Sequence, residues 1–424
     1  MSEERSGAQI LVESLVRQGV EFVFGYPGGA VLPIYDALFG DERIRHILVR
    51  QEGGAAHAAE GYARSTGKPG VVLVTSGPGA TNAVTGIADA FLDSIPMVVI
   101  TGQVSTALIG SDAFQEADTV GITRHCTKHN YLVKDPSELA ATIDEAFQIA
   151  TQGRPGPVVI DIPKDVQVAS ATWSDGPIQR RNRFAPQLSG GKDEIAQAVE
   201  LLANAKAPVF YTGGGVINSG PRATDLLRRL QELTGAPVTT TLMGLGAFPA
   251  GHPDWLGMLG MHGTYEANMA MNQADLILCL GARFDDRVTG RLDAFAPNST
   301  KIHVDIDRSS INKTVPVDLP IIGDCATVLE QLIDAWGARK AQDLTGWKQR
   351  IDGWRGRDSL AFPKNDRAIM PQLAVQRLYE LTKHLDPIIA TEVGQHQMWA
   401  AQHFHFFAPN RWLTSGGLGT MGYG

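Results

Sequence analysis

One carboxylate stands among glycines early in the chain, in the string Arg50-Gln-Glu52-Gly-Gly-Ala-Ala56. The string joins an apolar segment to a helix-like segment, which predicts a turn at the carboxyl end of a strand. Open α/β sheets bind ligands at that end, and glycines there permit close backbone approach. Glu52 is therefore a candidate acid–base residue. The alternative is structural, because an acidic residue in a first helical turn complements the helix dipole.

Three further loops of small residues follow predicted strands. They are Tyr26-Pro-Gly-Gly-Ala30, Thr75-Ser-Gly-Pro-Gly-Ala-Thr-Asn82 and Thr101-Gly-Gln-Val104. Each of them alone is ordinary turn chemistry. Because the carboxyl ends of parallel strands share one edge of a sheet, the four loops together predict a surface shaped for a ligand.

A second glycine loop, Gly213-Gly-Gly215, follows a later strand. It is a weak dinucleotide signal by itself, since Asn218 stands where a G-x-G-x-x-G pattern has its third glycine.

The elements that must position these loops follow an α/β pattern, in which apolar runs alternate with segments of helical period. This pattern predicts parallel sheets flanked by helices. Strands are predicted at 21–24, 46–49, 71–75, 97–101, 158–162, 208–212, 237–241, 275–280, 301–305 and 388–391. Helices are predicted at 8–18, 54–65, 80–92, 137–151, 193–203, 222–234, 326–336 and 371–383.

Breaks in this alternation predict three domains, at residues 1–176, 192–340 and 364–424. The first linker, 177–191, collects proline and glycine around Arg180, Arg181 and Arg183. The second, 341–363, is polar and weakly patterned. The third segment is too short to bury a sheet of its own. We therefore expect that the chain is cut off inside its third domain.

Composition excludes several classes of function. The 424 residues carry a formal net charge of −8, which gives no general attraction for nucleic acid or anionic membranes. Apolar runs are far shorter than the roughly 20 residues that span a bilayer. Neither a signal peptide nor a disulfide framework is evident, which indicates a cytoplasmic protein. His125-Cys-Thr-Lys-His129 lacks a second ligand pair, so metal binding there is a minor alternative.

The order of several motifs resembles the thiamine-diphosphate enzymes. Glu52 with its glycines, Gly61-Tyr-Ala-Arg64, the Thr75 loop and Asp112-Ala-Phe-Gln-Glu116 are similar to their pyrimidine-binding domain. Five later strings resemble the acetolactate synthase (acetohydroxyacid synthase) family within that group. They are Thr127-Lys-His-Asn130, Gly153-Arg-Pro-Gly-Pro157, Gly257-Met-Leu-Gly-Met-His-Gly263, Gly281-Ala-Arg-Phe-Asp-Asp-Arg-Val-Thr-Gly290 and Glu392-Val-Gly-Gln-His-Gln-Met-Trp399.

The resemblance implies an enzyme that decarboxylates pyruvate on thiamine diphosphate. It transfers the hydroxyethyl group to a second pyruvate or to 2-oxobutyrate, the first common step of valine, leucine and isoleucine biosynthesis. Glu52 matches the glutamate that shares a proton with the aminopyrimidine ring. The other residues implied at the catalytic centre and channel are Gly29, Ala30, Phe114, Gln115, Lys164 and Arg287. Those implied around thiamine diphosphate are Pro78, Asn82, Val393, Gly394, Gln395, His396, Gly419 and Met421, with Met421 as the wedge under the bent cofactor.

The resemblance also implies a central FAD-binding domain, flanked by the pyrimidine-binding domain and the start of a pyrophosphate-binding domain. Because the overall reaction transfers no net electrons, the flavin is expected to be structural. The implied FAD residues are Arg154, Gly213, Gly214, Gly215, Thr241, Leu242, Met261, His262, Gly263, Gly281, Arg283, Asp285, Arg287, Asp305, Ile306, Gly323 and Asp324.

The chain departs from the family at three places. Many members read Arg-His-Glu-Gln-Gly where this chain has Arg50-Gln-Glu52-Gly-Gly54, and Ser105 stands where proline is common. The Gly-Asp-Gly and Asn ligands that hold Mg²⁺ do not occur in the chain, so those ligands are expected beyond residue 424. For that reason this length of chain alone is expected to be inactive.

Other readings remain open. A pyruvate oxidase or a sulfoacetaldehyde acetyltransferase shares the three-domain plan, and a non-catalytic FAD-binding module belongs to a different class. Glu52 argues against glyoxylate carboligase, which lacks that carboxylate. The family's active sites lie between subunits, so a homodimer or tetramer is expected, and a small regulatory subunit is a further expected partner.

Overall fold

The computed structural model describes residues 2–174, 185–363 and 367–424. The described residues form two compact units. The first contains residues 2–174 and Ala185 together with Ser415–Tyr423, and the second contains the described part of 186–414 together with Gly424. The basic cluster around Arg180, Arg181 and Arg183 lies outside the described residues.

Strands and helices alternate along the first unit. The strands are β1 (Ser2–Ser6), β2 (Phe22–Tyr26), β3 (Arg45–Leu48), β4 (Gly70–Val74), β5 (Met97–Gln103), β6 (His129–Leu132), β7 (Pro157–Pro163) and β8 (Ser170–Ser174). The helices are α1 (Gly7–Arg17), α2 (Leu32–Leu38), α3 (Glu52–Thr66), α4 (Pro78–Asp93), α5 (Thr119–Thr123), α6 (Leu139–Thr151) and α7 (Lys164–Val168).

Six of these strands form one parallel sheet in the order β3-β2-β4-β5-β7-β6. Its central strands β4, β5 and β7 are buried along their whole length, as expected for a sheet covered on both faces. Residues of α1, α2 and α6 pack on one face, and residues of α3 and α4 pack on the other. The polar strands β1 and β8 pair with each other as a separate antiparallel ribbon.

The second unit repeats the plan. Its strands are β9 (Pro208–Thr212), β10 (Val238–Thr240), β11 (Trp255–Met258), β12 (Leu276–Leu280), β13 (Thr300–Asp305), β14 (Leu319–Ile322), β15 (Ile389–Ala390) and β16 (Trp412–Leu413). Its helices are α8 (Lys192–Asn204), α9 (Gly214–Asn218), α10 (Pro221–Thr234), α11 (Tyr265–Gln273), α12 (Asp286–Thr289), α13 (Cys325–Trp336), α14 (Thr345–Arg355), α15 (Pro371–Thr382) and α16 (Gln395–His403).

Strands β9–β14 form a second parallel sheet in the order β11-β10-β9-β12-β13-β14. If the six strands are renumbered 1 to 6 in chain order, the spatial order is 3-2-1-4-5-6, which is that of a doubly wound fold. In this fold the chain changes direction across the sheet between strands 1 and 4, which here are β9 and β12. Helices α8, α10 and α13 cover one face, and α11 and α14 cover the other. The predicted α/β fold with parallel sheets flanked by helices is confirmed.

The stretch 341–363, in which the sequence pattern predicted no element, contains helix α14. Trp347, Ile351 and Trp354 recur at helical spacing, and the first two are 5% and 2% exposed. The Trp347 indole Nε1 donates a hydrogen bond to the carbonyl oxygen of Pro208, 3.1 Å away. Helix α14 is therefore an integral layer of the central domain. Its apolar residues are too sparse for the sequence pattern to have predicted a helix there.

Residues 371–414 pack onto the central domain. Ala400, Ala401, Phe404, Phe406 and Trp412 form a buried cluster with two residues near β10 and β11, Leu245 and Met258. None of the helices formed by the described residues combines the length and apolar character that a membrane crossing requires.

Replacing Trp347 by Ala is expected to lower the free energy of unfolding by about 3–5 kcal/mol, because it leaves a cavity and strands the Pro208 carbonyl. Chemical denaturation followed by circular dichroism measures the change. Gln349→Ala, on the exposed side of the same helix, is the matched control and is expected to change stability little. Equal effects of the two substitutions would contradict the packing role of α14.

Candidate functional site

The carboxyl ends of β2, β3, β4, β5 and β7 lie on one edge of the first sheet, because these strands are parallel. The loops that follow the first three of them are the small-residue loops that begin at Tyr26, Arg50 and Thr75, and their predicted convergence is confirmed. The fourth predicted loop is wrong, because Thr101, Gly102 and Gln103 continue β5 and pair with β7. This edge is where open α/β sheets bind ligands.

Glu52 is the first residue of α3 and is partly buried. Its Oε2 accepts a hydrogen bond of 2.9 Å from the Asn82 side-chain amide. The backbone of Gly79 lies close by, so that a Cβ built there would be 3.6 Å from Glu52 Oε1. Glu52 and Asn82, two residues predicted to bind one ligand, are thus in contact, and Pro78 begins α4 one turn before Asn82.

The loop after β2 lies against the loop after β4. The Ala30 backbone N–H donates to Thr75 Oγ1 at 3.2 Å, and the Ala30 carbonyl accepts from the Gln167 side chain at 2.7 Å. A Cβ on Gly28 would meet the Thr75 side chain at 2.5 Å, so only glycine fits there. Gly29 faces open space and is exposed. The fixed backbone of this loop therefore presents Gly29 outward.

The loop that carries Phe114 and Gln115 reaches the same edge. A Cβ on Gly77, which has a φ of +57°, would lie 2.6 Å from the Gln115 carbonyl oxygen. Phe114 is 88% exposed. Lys164 is exposed at the start of α7, directly after β7. The structure thus places the predicted catalytic residues of the first unit at one edge of its sheet.

Arg154 lies elsewhere. It precedes β7, and its Nε donates to Ser94 Oγ at 2.7 Å just before β5 begins. This is the amino-terminal edge of the first sheet, whereas the other predicted FAD residues belong to the second unit. The FAD-binding role of Arg154 stays a prediction.

The predicted FAD residues of the second unit follow all six strands of its parallel sheet. Gly213, Gly214 and Gly215 follow β9; Thr241 and Leu242 follow β10; Met261, His262 and Gly263 follow β11; Gly281, Arg283, Asp285 and Arg287 follow β12; Asp305 ends β13 and Ile306 follows it; Gly323 and Asp324 follow β14. Since these strands are parallel, the residues gather at one edge of the sheet.

At the centre of this edge the loops after β9 and β12 meet backbone to backbone. The Gly213 N–H donates to the Leu280 carbonyl at 2.9 Å, and the Gly215 N–H donates to the Gly281 carbonyl at 3.0 Å. A Cβ on Gly213 would lie 2.3 Å from the Gly281 oxygen. Close approach of this kind at the switch point of a doubly wound sheet is suited to a dinucleotide.

The charged residues of this edge differ in how they are engaged. Arg283 forms an ion pair of 2.5 Å with Asp285, which also accepts the Arg287 backbone N–H. The Arg287 side chain is 71% exposed. Its Nε lies 3.8 Å from Asp286 Oδ2, a longer separation than that of the Arg283–Asp285 pair. Asp324 accepts from Ser219 Oγ at 2.7 Å and caps α13, so its carboxylate is already engaged.

The predicted residues of the third segment fall in different units. Gly394 has a φ of +149° and precedes α16, with Gln395 and His396 exposed at the start of that helix and Val393 partly buried. Gly419 and Met421 belong to the first unit, and Met421 is 78% exposed. Met421 is therefore not packed in the core of this unit, and its role as a cofactor wedge stays a prediction.

A buried polar cluster was missed by the sequence analysis. His57 and Glu60 on α3 and Asp89 on α4 bring their ligand atoms within 4.8 Å of one another. Burial, reinforced by the Asp89 charge, raises the pKa of Glu60 well above its usual range, and burial lowers the pKa of His57. These shifts favour the protonated form of Glu60 and the neutral form of His57. His57 and Glu60 are one helical turn apart, but Asp89 is distant in sequence and lies on another helix, so the sequence gave no signal for the cluster.

The same cluster anchors the segment Ser415–Tyr423. Ser415 Oγ donates to Asp89 Oδ1 at 2.6 Å, and the Tyr423 ring stacks edge-on to His57 at 5.3 Å. Arg64 pairs with Asp93 at 2.6 Å. This buried network explains why the segment belongs to the first unit.

Three stretches of the chain match thiamine pyrophosphate enzyme domains. Residues 5–122 match the N-terminal TPP binding domain, residues 195–332 the central domain, and residues 392–424 the C-terminal TPP binding domain.

Whole-chain relatives are acetolactate synthase large subunits. The isozyme 3 large subunit of Escherichia coli (strain K12) is 50% identical, with 100% of this chain and 74% of that protein aligned. The large subunit of Buchnera aphidicola subsp. Schizaphis graminum is 51% identical, with 99% of this chain and 73% of that protein aligned. The Haemophilus influenzae large subunit is 50% identical, with 99% and 74% aligned.

Replacing Gly213 by Ala is expected to destabilise the second unit by about 1–3 kcal/mol, because its Cβ would overlap the Gly281 carbonyl. Gly214→Ala is the matched control, since its Cβ would come no closer than 3.4 Å to Met243. Thermal unfolding measures both. A Gly213→Ala protein as stable as the Gly214→Ala protein would contradict the tight contact between the two loops.

Proposed function

We propose that this chain, which belongs to the acetolactate synthase large-subunit family of thiamine pyrophosphate enzymes, catalyses the reaction for which that family is named. It is a thiamine-diphosphate-dependent transferase and a catalytic rather than regulatory subunit. The reaction joins a two-carbon unit from pyruvate to a second 2-oxo acid, pyruvate or 2-oxobutyrate. Its products supply valine, leucine and isoleucine biosynthesis in the cytoplasm.

The observation that carries the proposal is the position of Glu52 at the ligand-binding edge. When bound, thiamine diphosphate supplies a nucleophilic carbon that adds to the carbonyl of a 2-oxo acid. Glu52 Oε2 is held by Asn82 at 2.9 Å. This leaves Oε1 as the atom that we assign to the proton shared with the aminopyrimidine ring. Asn82 orients the carboxylate, so that the proton is held at a fixed place.

Residues around Glu52 fit the rest of the cofactor and the substrate. Gly29, with no neighbour on its open side, lets a flat ring approach the backbone. Ala30 and the exposed Phe114 offer apolar walls. Gln115 and Lys164 offer polar donors for the carboxylate of a 2-oxo acid. We assign these residues to the substrate channel.

The central edge fits FAD. A Cβ at Gly213 or Gly215 would clash with the Gly281 backbone, so these glycines let the loops after β9 and β12 lie in direct backbone contact at the switch point of the sheet. Arg283 and Arg287 supply paired N–H donors that suit phosphates, and we include Arg287 also in the substrate channel. Asp285, Asp305 and Asp324 serve mainly to fix local turns. We propose that the flavin is held here for structural reasons.

The remaining assignments are proposals of the same standing. We propose pyrimidine-binding, central FAD-binding and pyrophosphate-binding domains at 1–176, 192–340 and 364–424, with α14 of the stretch 341–363 packed as a layer of the central domain. Val393–His396, Gly419 and Met421 serve the diphosphate side. We propose that Mg²⁺ assists there, and we assign no residue of this chain to it. A homodimer or tetramer with a small regulatory subunit is the proposed assembly.

Replacing Glu52 by Gln is expected to reduce acetolactate formation about 100-fold or more, because the amide cannot share a proton in the same way. The assay uses the holoenzyme with thiamine diphosphate, Mg²⁺, FAD and pyruvate. Glu21→Gln is the matched control, because Glu21 is an exposed acid paired with Lys68 before the first sheet strand. Full turnover in the Glu52 variant, or acetaldehyde or acetyl phosphate as the sole wild-type product, would contradict the proposal.

Replacing Arg287 by Ala is expected to weaken FAD binding about tenfold or more, through loss of charge-assisted hydrogen bonds to phosphate. Equilibrium dialysis with detection of flavin absorbance measures the affinity. Arg291→Ala is the matched control, since Arg291 is 80% exposed and pairs with Asp293. An equal loss in both variants, or none in either, would remove Arg287 from the flavin site.

A further inference from the structure

Residues 110–118, the substrate loop, are held in an unusual conformation. Asp112 and Gln115 have φ angles of +56° and +58°, in the left-handed region that residues other than glycine seldom adopt. Backbone of this kind persists only where surrounding contacts impose it. The contacts that impose it here therefore decide where Phe114 and Gln115 point.

Glu116 closes the loop on itself. Its carboxylate accepts the backbone N–H of Gly110 and, at 3.0 Å, that of Ala113. These hydrogen bonds lower the pKa of Glu116. They fix the internal shape of the loop, but they do not tie it to the sheet.

Gln103, the last residue of β5, ties the loop to the sheet. Its side-chain amide donates to the Ala117 carbonyl at 2.8 Å and to Asp161 Oδ2 at 2.9 Å. Its Oε1 accepts the Val104 N–H at 2.9 Å. Gln103 is 3% exposed. Both amide hydrogens and the amide oxygen are thus engaged, which leaves one orientation for the side chain.

Asp161, on β7, fixes the orientation of that amide. It is 1% exposed, and its Oδ1 accepts from Thr101 Oγ1 at 2.6 Å. Burial raises the pKa of Asp161 to about 7, and the negative charge of Asp118 adds to this increase. The hydrogen bonds from Thr101 and Gln103 act in the opposite direction, because they favour the charged carboxylate. Asp161 lies on β7, outside the loop, and its hydrogen bond to Gln103 links it to the Ala117 carbonyl.

We infer that Gln103 and Asp161 are positioning residues for the reaction, in which the Asp161–Gln103–Ala117 chain of hydrogen bonds holds Phe114 and Gln115 at the substrate channel. This inference rests on the proposed function for the role of the loop. Neither residue touches the substrate. Their effect is to keep the loop against Gly77, beside the Glu52 site.

The test exchanges the polarity of the buried pair. Gln103→Glu places two carboxylates together and is expected to lower the melting temperature. Adding Asp161→Asn restores a hydrogen bond from amide to carboxylate and is expected to recover most of that loss. The double variant still turns a carboxylate toward the Ala117 carbonyl, so the hydrogen bond from residue 103 to the loop stays broken and only the Thr119 N–H donates to that carbonyl.

In the double variant, chymotrypsin is expected to cleave after Phe114 about tenfold faster than in the wild type, as one lost hydrogen bond predicts. The kcat/KM for pyruvate is expected to fall by a similar factor, while the affinity for thiamine diphosphate is unchanged. Thr101→Val is the control. It removes a hydrogen bond to Asp161 but leaves the bond from Gln103 to Ala117, so cleavage should stay at the wild-type rate.

Wild-type cleavage and kcat/KM in the double variant would overturn the inference. So would loop opening in Thr101→Val equal to that in the double variant, because the network would then be merely structural. A wild-type enzyme that makes no acetolactate would refute the proposed function instead. The cleavage rates would still decide whether Gln103 holds the loop.

Discussion

Parallel strand direction is the constraint on which both proposed sites depend. In each unit six strands run the same way, so every strand ends at the same edge and every following loop meets its neighbours there. Glu52 would be an ordinary first-turn acid on an isolated helix. At this edge it lies against Asn82 and beside the Gly77 and Gly28 loops, which come from other strands of the same sheet.

Glycine makes the loops fit together at both edges. Gly77 packs against the Gln115 backbone, Gly28 packs against the Thr75 side chain, and Gly213 packs against the Gly281 carbonyl. Each contact is so close that a Cβ on the glycine would clash. The loop backbones held in this way carry the charged side chains, which are Glu52 at the first edge and Arg283 and Arg287 at the second. The order of dependence runs from strand direction to loop contact and then to chemistry.

Much of this could be predicted because its signal is local. The apolar runs of β4, β5 and β7 identify the sheet, and the glycine loops after β2, β3 and β4 identify its edge, all from short strings. Several elements of the central domain were missed, among them β11, α11, β14 and α14. The signal of α14 is spread over Trp347, Ile351 and Trp354, in a segment that is otherwise polar. Strands β1 and β8 carry polar residues and are stabilised by pairing, which periodicity does not report.

The buried polar networks could not be predicted for a different reason. Asp161 and Gln103 are 58 residues apart, and Asp89 and Ser415 are 326 apart. Their contacts follow from the three-dimensional fold, so no spacing in the sequence reveals them. The placement of Ser415–Tyr423 with the first unit was hidden for the same reason.

The claim that Glu52 shares a proton with thiamine diphosphate is tested most directly by nuclear magnetic resonance, through the rate at which the cofactor's C2 proton exchanges with deuterium when bound. Wild-type protein is expected to exchange this proton about 100-fold or more faster than the Glu52→Gln variant at equal cofactor occupancy. Equal exchange rates in the two proteins would contradict the account.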